Sequence, residues 1–236
     1  MRILNSAHKS LSQMYEGKNP IQIPAYTASE AAKYLDVPRA TARSWAFGQK
    51  NFKSIIRLAD TQHGLLSFQN LIEIHVLSAL RKKHEIRLPA VRKAIEYLKS
   101  HLQTEHPLSD AQLLTDNHSV FIEEYGKLIN ASKAGQLEMK GVLDIYLKRI
   151  ERDRAGIPIR LYPFTTTRPN DQSRFVVIDP RVQFGRPCIT GTGIPTNIIA
   201  ERYKAGDSIA YLAEDYGRKP SEIEEALRYE FPAVVA

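Results

Sequence analysis

The chain has 236 residues, of which 43% are hydrophobic and 25% charged, a composition typical of a soluble globular protein and not of a disordered or fibrous one. No apolar run reaches the roughly 20 residues of a membrane helix, and the first residues lack the apolar core of a signal peptide, so we expect a cytoplasmic protein without a membrane partner. The single cysteine, Cys188, excludes an internal disulfide and a multi-thiolate zinc site.

The net charge of +7 is concentrated in the first part of the chain. Residues 1–105 contain 16 Lys and Arg against 8 Asp and Glu, whereas residues 106–236 contain 17 against 18. This asymmetry indicates a nucleic-acid or acidic partner for the first part. Basic proteins are common, however, and charge alone identifies no partner.

Residues 1–23 show no sustained periodicity and are predicted to form an N-terminal arm, and two short helices are predicted after it. Thr27 and Glu30 have the spacing of a capping box, in which each side chain binds a backbone N–H at the start of the first helix. Pro38 suits the first turn of a second helix, which extends to about Phe47. Two short helices joined by a tight turn predict a helix-turn-helix.

A hairpin is predicted after these helices, at the position of a wing. Two strands, Ser54–Ala59 and Leu65–Phe68, flank the turn-rich segment Asp60–Gly64. Two amphipathic helices follow, one over Phe68–Leu80 with Ser67 as its cap and one after Pro89. Together these elements define a predicted DNA-binding domain over residues 24–105.

The second helix of the helix-turn-helix is expected to present a basic face to DNA. With Ala42, Trp45 and Ala46 in the core, arginines lie on the outward side, and no acidic residue occurs between Asp36 and Asp60. Such a surface suits contacts with phosphates and base edges. The residues predicted to contact operator DNA are Arg39, Ala40, Thr41, Arg43, Ser44, Lys50, Lys53 and Arg57.

A resemblance to the winged helix-turn-helix of MerR-like regulators is carried by the run Tyr26-Thr-Ala-Ser-Glu-Ala-Ala-Lys-Tyr-Leu-Asp-Val-Pro-Arg-Ala-Thr-Ala-Arg-Ser-Trp45. The resemblance implies that Arg43 and the wing grip DNA, with a phosphate contact and a guanine contact both open for Arg39 and Arg43. Unlike the sensor members of that family, this chain has no following cysteines for a metal and no long heptad helix. The alternative is a helical pair used for protein contacts.

Residues 106–170 have a different character and are predicted to form a mixed middle region ending in a polar linker. The predicted elements are strands at Val120–Ile122 and Leu128–Ile129, a helix over Leu137–Asp153, a strand over Ile157–Phe164 and the linker Thr165–Asn170. Glu123 and Glu124 are then read as neighbours on a strand whose carboxylates point to opposite faces, which favours a solvated edge over a catalytic pair.

The last part, residues 171–236, is predicted to be a trihelical domain. A strand, Phe175–Ile178, and a loop rich in glycine and proline, Asp179–Pro195, precede three short helices. The helices are expected over Thr196–Lys204, Ser208–Tyr216 and Pro220–Tyr229, the last with a Ser221–Glu224 capping box. Because the helices are acidic, we expect them to avoid phosphates and to suit a basic protein partner.

A second resemblance covers about residues 174–231. The run Ile178-Asp-Pro-Arg-Val-Gln-Phe-Gly-Arg-Pro-Cys-Ile-Thr-Gly-Thr-Gly-Ile-Pro195 is similar to a short bacterial domain of unknown function found in VapB-type antitoxins, although many members have arginine in place of Gly193. The resemblance implies a protein that neutralises a PIN-domain-type ribonuclease toxin by binding and represses its own operon. Apolar content in loops selects the candidate toxin contacts Phe184, Ile189, Tyr229 and Phe231.

Catalytic and metal chemistry find little support in the sequence. Cys188 lacks a nucleophile signature and is read as a structural or interface thiol, and the seven histidines show no metal-binding spacing. We therefore expect no enzyme activity and no cofactor. The prediction is a mainly α protein with small β elements, an α+β class, acting as a homodimeric antitoxin and autorepressor. The alternative is a MerR-like transcriptional regulator without a toxin partner.

Overall fold

The computed structural model describes residues 19–49, 52–81, 88–110, 113, 118–165 and 173–231. Within these residues the chain is mainly helical, with nine α-helices and two two-stranded sheets, which confirms the mainly α class with small β elements. Two compact units are formed, Met1–Lys148 with Arg152–Ile159 and Arg149–Glu151 with Arg160–Ala236. None of the helices seen in these ranges has the length and apolar character needed to cross a membrane.

The elements follow one another in a simple order. The first unit contains α1 (Ala28–Tyr34), α2 (Arg39–Phe47), α3 (Phe68–Arg81), α4 (Leu88–Leu102), α5 (His118–Leu128) and α6 (Lys133–Leu147). Strands β1 (Ile150–Arg152) and β2 (Pro158–Leu161) pair with each other, and the division between the units crosses this pair. The second unit continues with β3 (Val176–Val177), β4 (Cys188–Ile189), α7 (Thr196–Lys204), α8 (Ile209–Asp215) and α9 (Pro220–Glu230).

The predicted pair of helices at the start of the first unit is confirmed. The Glu30 backbone N–H donates to Thr27 Oγ1 at 3.2 Å and the Thr27 N–H donates to Glu30 Oε2 at 2.8 Å, which completes the capping box of α1. Four residues then separate α1 from α2, and α1 packs against α2. Pro38 stands at the N-cap of α2, one residue before the position expected.

The two predicted wing strands are wrong, although the tight turn between them is present. Asp60 and Leu65 exchange two backbone hydrogen bonds of 3.1 and 3.0 Å, while Phe68 already begins α3. Residues 54–59 form no ladder because their backbone groups bind elsewhere. The N–H groups of Ile55 and Ile56 both donate to the Trp45 carbonyl. The side chain of Asn70 accepts from the Ala59 N–H and donates to the Arg57 carbonyl.

The core of the first unit is built on α3. Its fully buried apolar residues include Leu71, Ile72, Ile74, Val76 and Leu77. Helix α3 packs against α6, and α4 packs against α5. The predicted inner face of α4, with Val91, Ile95 and Leu98, is buried, and Ser67 caps α3 through a 3.3 Å bond from the Asn70 N–H.

The predicted strands at Val120–Ile122 and Leu128–Ile129 are wrong, because this segment forms α5. Phe121, Ile122 and Tyr125 lie at helical spacing and are buried together, whereas a short apolar run by itself does not distinguish a strand from a buried helix. Glu123 and Glu124 therefore lie on a helix, where both pair with Lys127. Helix α6 ends at Leu147 rather than at Asp153, and Ile150 belongs to β1.

The second unit contains three helices that pack against one another and a short antiparallel ladder that contacts α9. Val176 pairs with Ile189 and Val177 pairs with Cys188 across β3 and β4. The predicted strand and all three helices are confirmed. The Ser221–Glu224 capping box is wrong, because α9 begins at Pro220 and Glu222 Oε2 accepts the Lys219 N–H at 2.9 Å instead. The core cluster consists of Ile189, Ile199, Ala200, Leu212, Ala213, Ile223, Ala226 and Leu227. The predicted linker lies outside the described residues beyond Thr165.

Candidate nucleic-acid and partner surfaces

Four cations of the predicted DNA site are exposed on α2 and on the loop that follows it. We call Arg39, Arg43, Lys53 and Arg57 the basic surface. Ala40 is exposed beside them and Thr41 is half-buried, while Ala42, Trp45 and Ala46 are buried as expected. Lys50 lies outside the described residues. The surface therefore retains the cationic character that phosphate contacts require.

Ser44 does not belong to this surface. Helical spacing placed it outward, but the residue is 6% exposed, and its hydroxyl has no hydrogen-bond partner within the described part of the chain. The segment after α2 folds back and donates two backbone hydrogen bonds to the carbonyl of Trp45. The last turns of α2 are therefore covered on more sides than an isolated amphipathic helix would be, and Ser44 is a packing residue.

Phe47 restrains the side chain of Arg43, one of the four cations of the basic surface. The Arg43 guanidinium carbon lies 5.4 Å from the centroid of the Phe47 ring, one helical turn further along α2, which is a cation–π distance. Gly64, at φ +67°, also lies close to the Phe47 ring. A Cβ added to Gly64 would be 3.2 Å from Phe47 Cε1. Sequence patterns did not single out Phe47, because its contact with Gly64 depends on a segment further along the chain.

A tight loop follows α2 and leads to Lys53. It was not predicted from the sequence. Gln49 and Phe52 exchange two backbone hydrogen bonds of 2.9 and 2.8 Å. Gly48 starts this loop at φ +79°, and a Cβ at that position would lie 2.3 Å from the Phe52 carbonyl oxygen. Only glycine avoids this overlap, so Gly48 was the local signal for the loop.

Arg57 is partly neutralised by an acidic neighbour. Its guanidinium lies 3.2 Å from Glu105 Oε2, and Lys99 lies 3.5 Å from the same oxygen. The positive charge of Lys99, and to a smaller extent that of Arg57, holds the pKa of Glu105 below its ordinary value. Because both members of the Arg57–Glu105 pair are 63% exposed, the pair contributes little to folding stability. The Glu105 carboxylate would compete with any other anion for the Arg57 guanidinium.

In the second unit, a buried carboxylate fixes the start of the glycine- and proline-rich loop. Asp179 Oδ2 accepts from Arg160 Nε at 2.9 Å and from Arg181 Nη2 at 2.7 Å, and Oδ1 accepts from the Arg181 backbone. Burial raises the pKa of Asp179, but the hydrogen bonds from Arg181 and Arg160 outweigh it and leave the pKa below its ordinary value. Arg160 also pairs with Glu151 at 2.8 Å.

The same loop presents an exposed aromatic ring on an unusual backbone. Gln183, Phe184 and Gly185 have φ values of 50°, 55° and 76°, and the Phe184 residue is 66% exposed. The left-handed conformation costs roughly 1–2 kcal/mol for a residue with a Cβ. A bulky apolar residue held outward at this cost is a candidate contact for a partner.

The other predicted toxin contacts are less accessible. Ile189 is fully buried in β4, so its predicted surface position is wrong and it serves the core. Tyr229 and Phe231 are half-buried, and the Phe231 ring lies 4.7 Å from the Lys204 ammonium. Cys188 is buried and its thiol donates to the Arg186 carbonyl at 3.3 Å. Burial raises the pKa of this thiol to about 11, which fits a structural residue.

The acidic helices of the second unit are largely paired internally. Arg202 bonds Asp207 at 2.7 Å and also bonds Asp215. Arg218 and Arg228 likewise pair with acidic residues one turn away, Glu222 and Glu225. The acidity counted from the sequence is therefore partly cancelled, and Phe184 is a stronger candidate contact than the acidic face.

Comparisons with known proteins place these observations in context. Residues 176–229 match the family described as "Protein of unknown function (DUF433)". The protein named "Putative antitoxin VapB45" of Mycobacterium tuberculosis (strain ATCC 25618 / H37Rv) is 28% identical over 231 residues, covering 87% of this chain and 93% of that protein. The chain is a distant homologue of that protein.

Two further similarities extend over nearly the same length. "Uncharacterized protein Rv2308" of the same organism is 23% identical over 216 residues, covering 86% of this chain and 89% of that protein. The crystal structure of Rv2018 from Mycobacterium tuberculosis matches with a TM-score of 0.67 and 25% identity, covering 87% of this chain and 98% of the other. The resemblance of the last part to the domain of unknown function is confirmed over 176–229. The longer matches, which cover 86–87% of the chain, extend into the first unit.

Proposed function

We propose that the protein is an antitoxin of a type II toxin–antitoxin system. It neutralises a PIN-domain-type ribonuclease toxin by direct binding and represses its own operon by binding operator DNA. The observation that carries the proposal is the similarity to the protein named "Putative antitoxin VapB45" over 87% of this chain. An antitoxin acts by binding, so no catalytic residue and no cofactor are assigned.

The DNA-binding role belongs to the region 24–105, which we propose to be a MerR-like domain. Arg39 and Arg43 on α2, and Lys53 and Arg57 on the following loop, would neutralise phosphates while α2 lies in the major groove. We propose that the protein binds as a homodimer, because two copies of α2 would then reach two half-sites of an operator.

The toxin-binding role belongs to the region 171–236. Phe184 is exposed on a loop whose base is held by the buried Asp179 and its two arginines. A rigid, exposed aromatic side chain loses little conformational freedom on binding and is a frequent centre of binding energy in protein interfaces. Tyr229 and Phe231 at the end of α9 are the further proposed contacts.

Co-expression with the protein encoded beside this chain tests the proposal. We expect the two proteins to co-purify and the ribonuclease activity of the partner to be lost in the complex. Phe184→Ala should weaken the complex, whereas Tyr211→Ala, which truncates an aromatic residue 53% exposed on α8, should leave it intact. DNA binding without capture of the neighbouring protein would favour the alternative of a transcriptional regulator and contradict the antitoxin role.

A further inference from the structure

Arg92, on α4, contacts the loop that carries Lys53, a residue 39 positions earlier in the sequence. Its Nε donates to the Lys53 carbonyl oxygen at 2.9 Å, and its Nη2 donates to the same oxygen. The guanidinium carbon also lies 5.1 Å from the centroid of the Phe52 ring. One arginine therefore contacts two consecutive residues of the loop, one through the backbone and one through the ring.

These contacts complete a set of restraints on Lys53. On one side of it, Phe52 is bonded to Gln49, in the turn that Gly48 begins. On the other side, the N–H groups of Ile55 and Ile56 bind the carbonyl at the end of α2. Arg92 binds the backbone between these two sets of hydrogen bonds, by donating to the Lys53 carbonyl. The Lys53 side chain itself is exposed.

We propose that Arg92 is a positioning residue for DNA binding, which holds the loop so that the Lys53 ammonium meets the DNA backbone together with α2. The inference rests on the proposed DNA-binding function of the first unit. Arg92 does not contact the phosphate itself, because its guanidinium donates inward to the Lys53 carbonyl and lies over the Phe52 ring.

The chemistry requires arginine at this position. A guanidinium donates two hydrogen bonds from a planar fork while its face remains on an aromatic ring, whereas a lysine ammonium offers one point charge on a flexible stem. Arg92→Lys therefore preserves the charge and removes the positioning. Phe52→Leu removes the stacking partner and changes no charge at all.

The experiment measures the affinity of the full-length protein for a fluorescein-labelled, mixed-sequence DNA duplex over a series of salt concentrations. Each phosphate contact makes the slope of log K against log salt more negative by about 0.9. We expect Lys53→Met to lower the magnitude of this slope by about 0.9. Arg92→Lys should lower it by a similar amount and Phe52→Leu in the same direction, although neither variant removes a charge. Lys93→Met, which removes a neighbouring exposed cation of α4, should leave the slope unchanged.

The double variant Arg92→Lys/Lys53→Met distinguishes the possible roles of Arg92. If Arg92 acts through Lys53, the double variant has the slope of Lys53→Met alone, because coupled residues are not additive. An Arg92→Lys protein with the wild-type slope overturns the inference, even if its melting temperature falls, since the role would then be structural. A further loss in the double variant also overturns it. A wild-type protein that binds no duplex at low salt would contradict the DNA-binding proposal itself.

Discussion

Arg43 and Phe47 form a cation–π pair on the outer side of α2, with 5.4 Å between the guanidinium carbon and the ring centroid. Phe47 is itself 43% exposed and its ring lies beside Gly64 of the Asp60–Leu65 turn. The ring therefore restricts the Arg43 side chain before DNA is present, which lowers the conformational entropy that binding would cost. Arg43 is therefore a pre-ordered cation of the proposed DNA contact.

Arg43→Ala is expected to weaken DNA binding and to lower the magnitude of the negative slope of log K against log salt by about 0.9, the value for one lost phosphate contact. The measurement is fluorescence anisotropy with the chain's own promoter duplex at several salt concentrations. Arg154→Ala is the matched control, because Arg154 is an exposed arginine in the turn between β1 and β2. Equal binding by the Arg43 and Arg154 variants would remove Arg43 from the site.

Glu105→Gln is expected to strengthen DNA binding. The carboxylate of Glu105 lies 3.2 Å from Arg57, so it neutralises a proposed phosphate contact and repels the DNA backbone. The amide keeps the size of the side chain and removes the charge. Its effect on unfolding should be small because the ion pair is exposed.

The comparison for Glu105→Gln is Glu124→Gln on α5, where the carboxylate pairs with Lys127, away from the basic surface along the chain. Anisotropy titrations at low salt should show tighter binding for the first variant and wild-type binding for the second. Weaker binding by Glu105→Gln would mean that the pair with Arg57 organises the surface rather than competing with DNA.

Substitution by alanine is expected to have opposite effects on folding stability at Gly48 and at Gly141. At Gly48 a Cβ would lie 2.3 Å from the Phe52 carbonyl oxygen on a backbone with φ +79°, whereas at Gly141, within α6, nothing lies within 4 Å. Gly48→Ala should therefore destabilise the protein by more than about 1 kcal/mol. Gly141→Ala should stabilise it by roughly 0.5–1 kcal/mol, because alanine favours a helix interior.

Urea unfolding followed by circular dichroism checks both values. The same Gly48→Ala protein should also lose DNA affinity, since the loop that carries Lys53 begins at this residue. A Gly48→Ala variant as stable as the wild type would show that Gly48 does not have a left-handed backbone packed against the Phe52 carbonyl.

The two helices α1 and α2 could be predicted for a local reason. Thr27, Glu30 and Pro38 act within one helical turn of their own positions, so the sequence alone defines where α1 and α2 begin. The second unit was predictable for the same reason, because short helices ending in glycine leave clear signals. Local chemistry therefore supplied most of the element boundaries in these two regions.

The errors come from contacts between distant parts of the chain. Residues 120–122 form a helix because α5, with Phe121 and Ile122 buried, packs against both α4 and α6. Ser44 and Ile189 were expected on surfaces and are buried by segments that lie elsewhere in sequence. The loop held by Arg92 depends on a contact 39 residues away. A periodicity argument contains none of this information.

Asp179 should make the second unit sensitive to acid. Its pKa is lowered in the folded protein because the hydrogen bonds from Arg181 and Arg160 outweigh the effect of burial. A group whose pKa is depressed by folding adds stability at neutral pH, and this contribution is lost as the pH falls from about 4, the unfolded value, through the lower folded value.

Asp179→Asn removes the charge at every pH and replaces the carboxylate shared by Arg160 and Arg181 with a neutral amide that has one acceptor oxygen instead of two. Because the carboxylate is 4% exposed, we expect a loss of roughly 3 kcal/mol at neutral pH. We also expect a flatter dependence of stability on pH below about 4.

Hydrogen exchange of the amides in β3, β4 and α7 to α9 measures the stability of this unit separately from that of the first. Glu214→Gln, an exposed carboxylate on α8, should change protection by less than about 0.5 kcal/mol. A loss no larger in Asp179→Asn than in this control would show that Asp179 does not support the loop that presents Phe184.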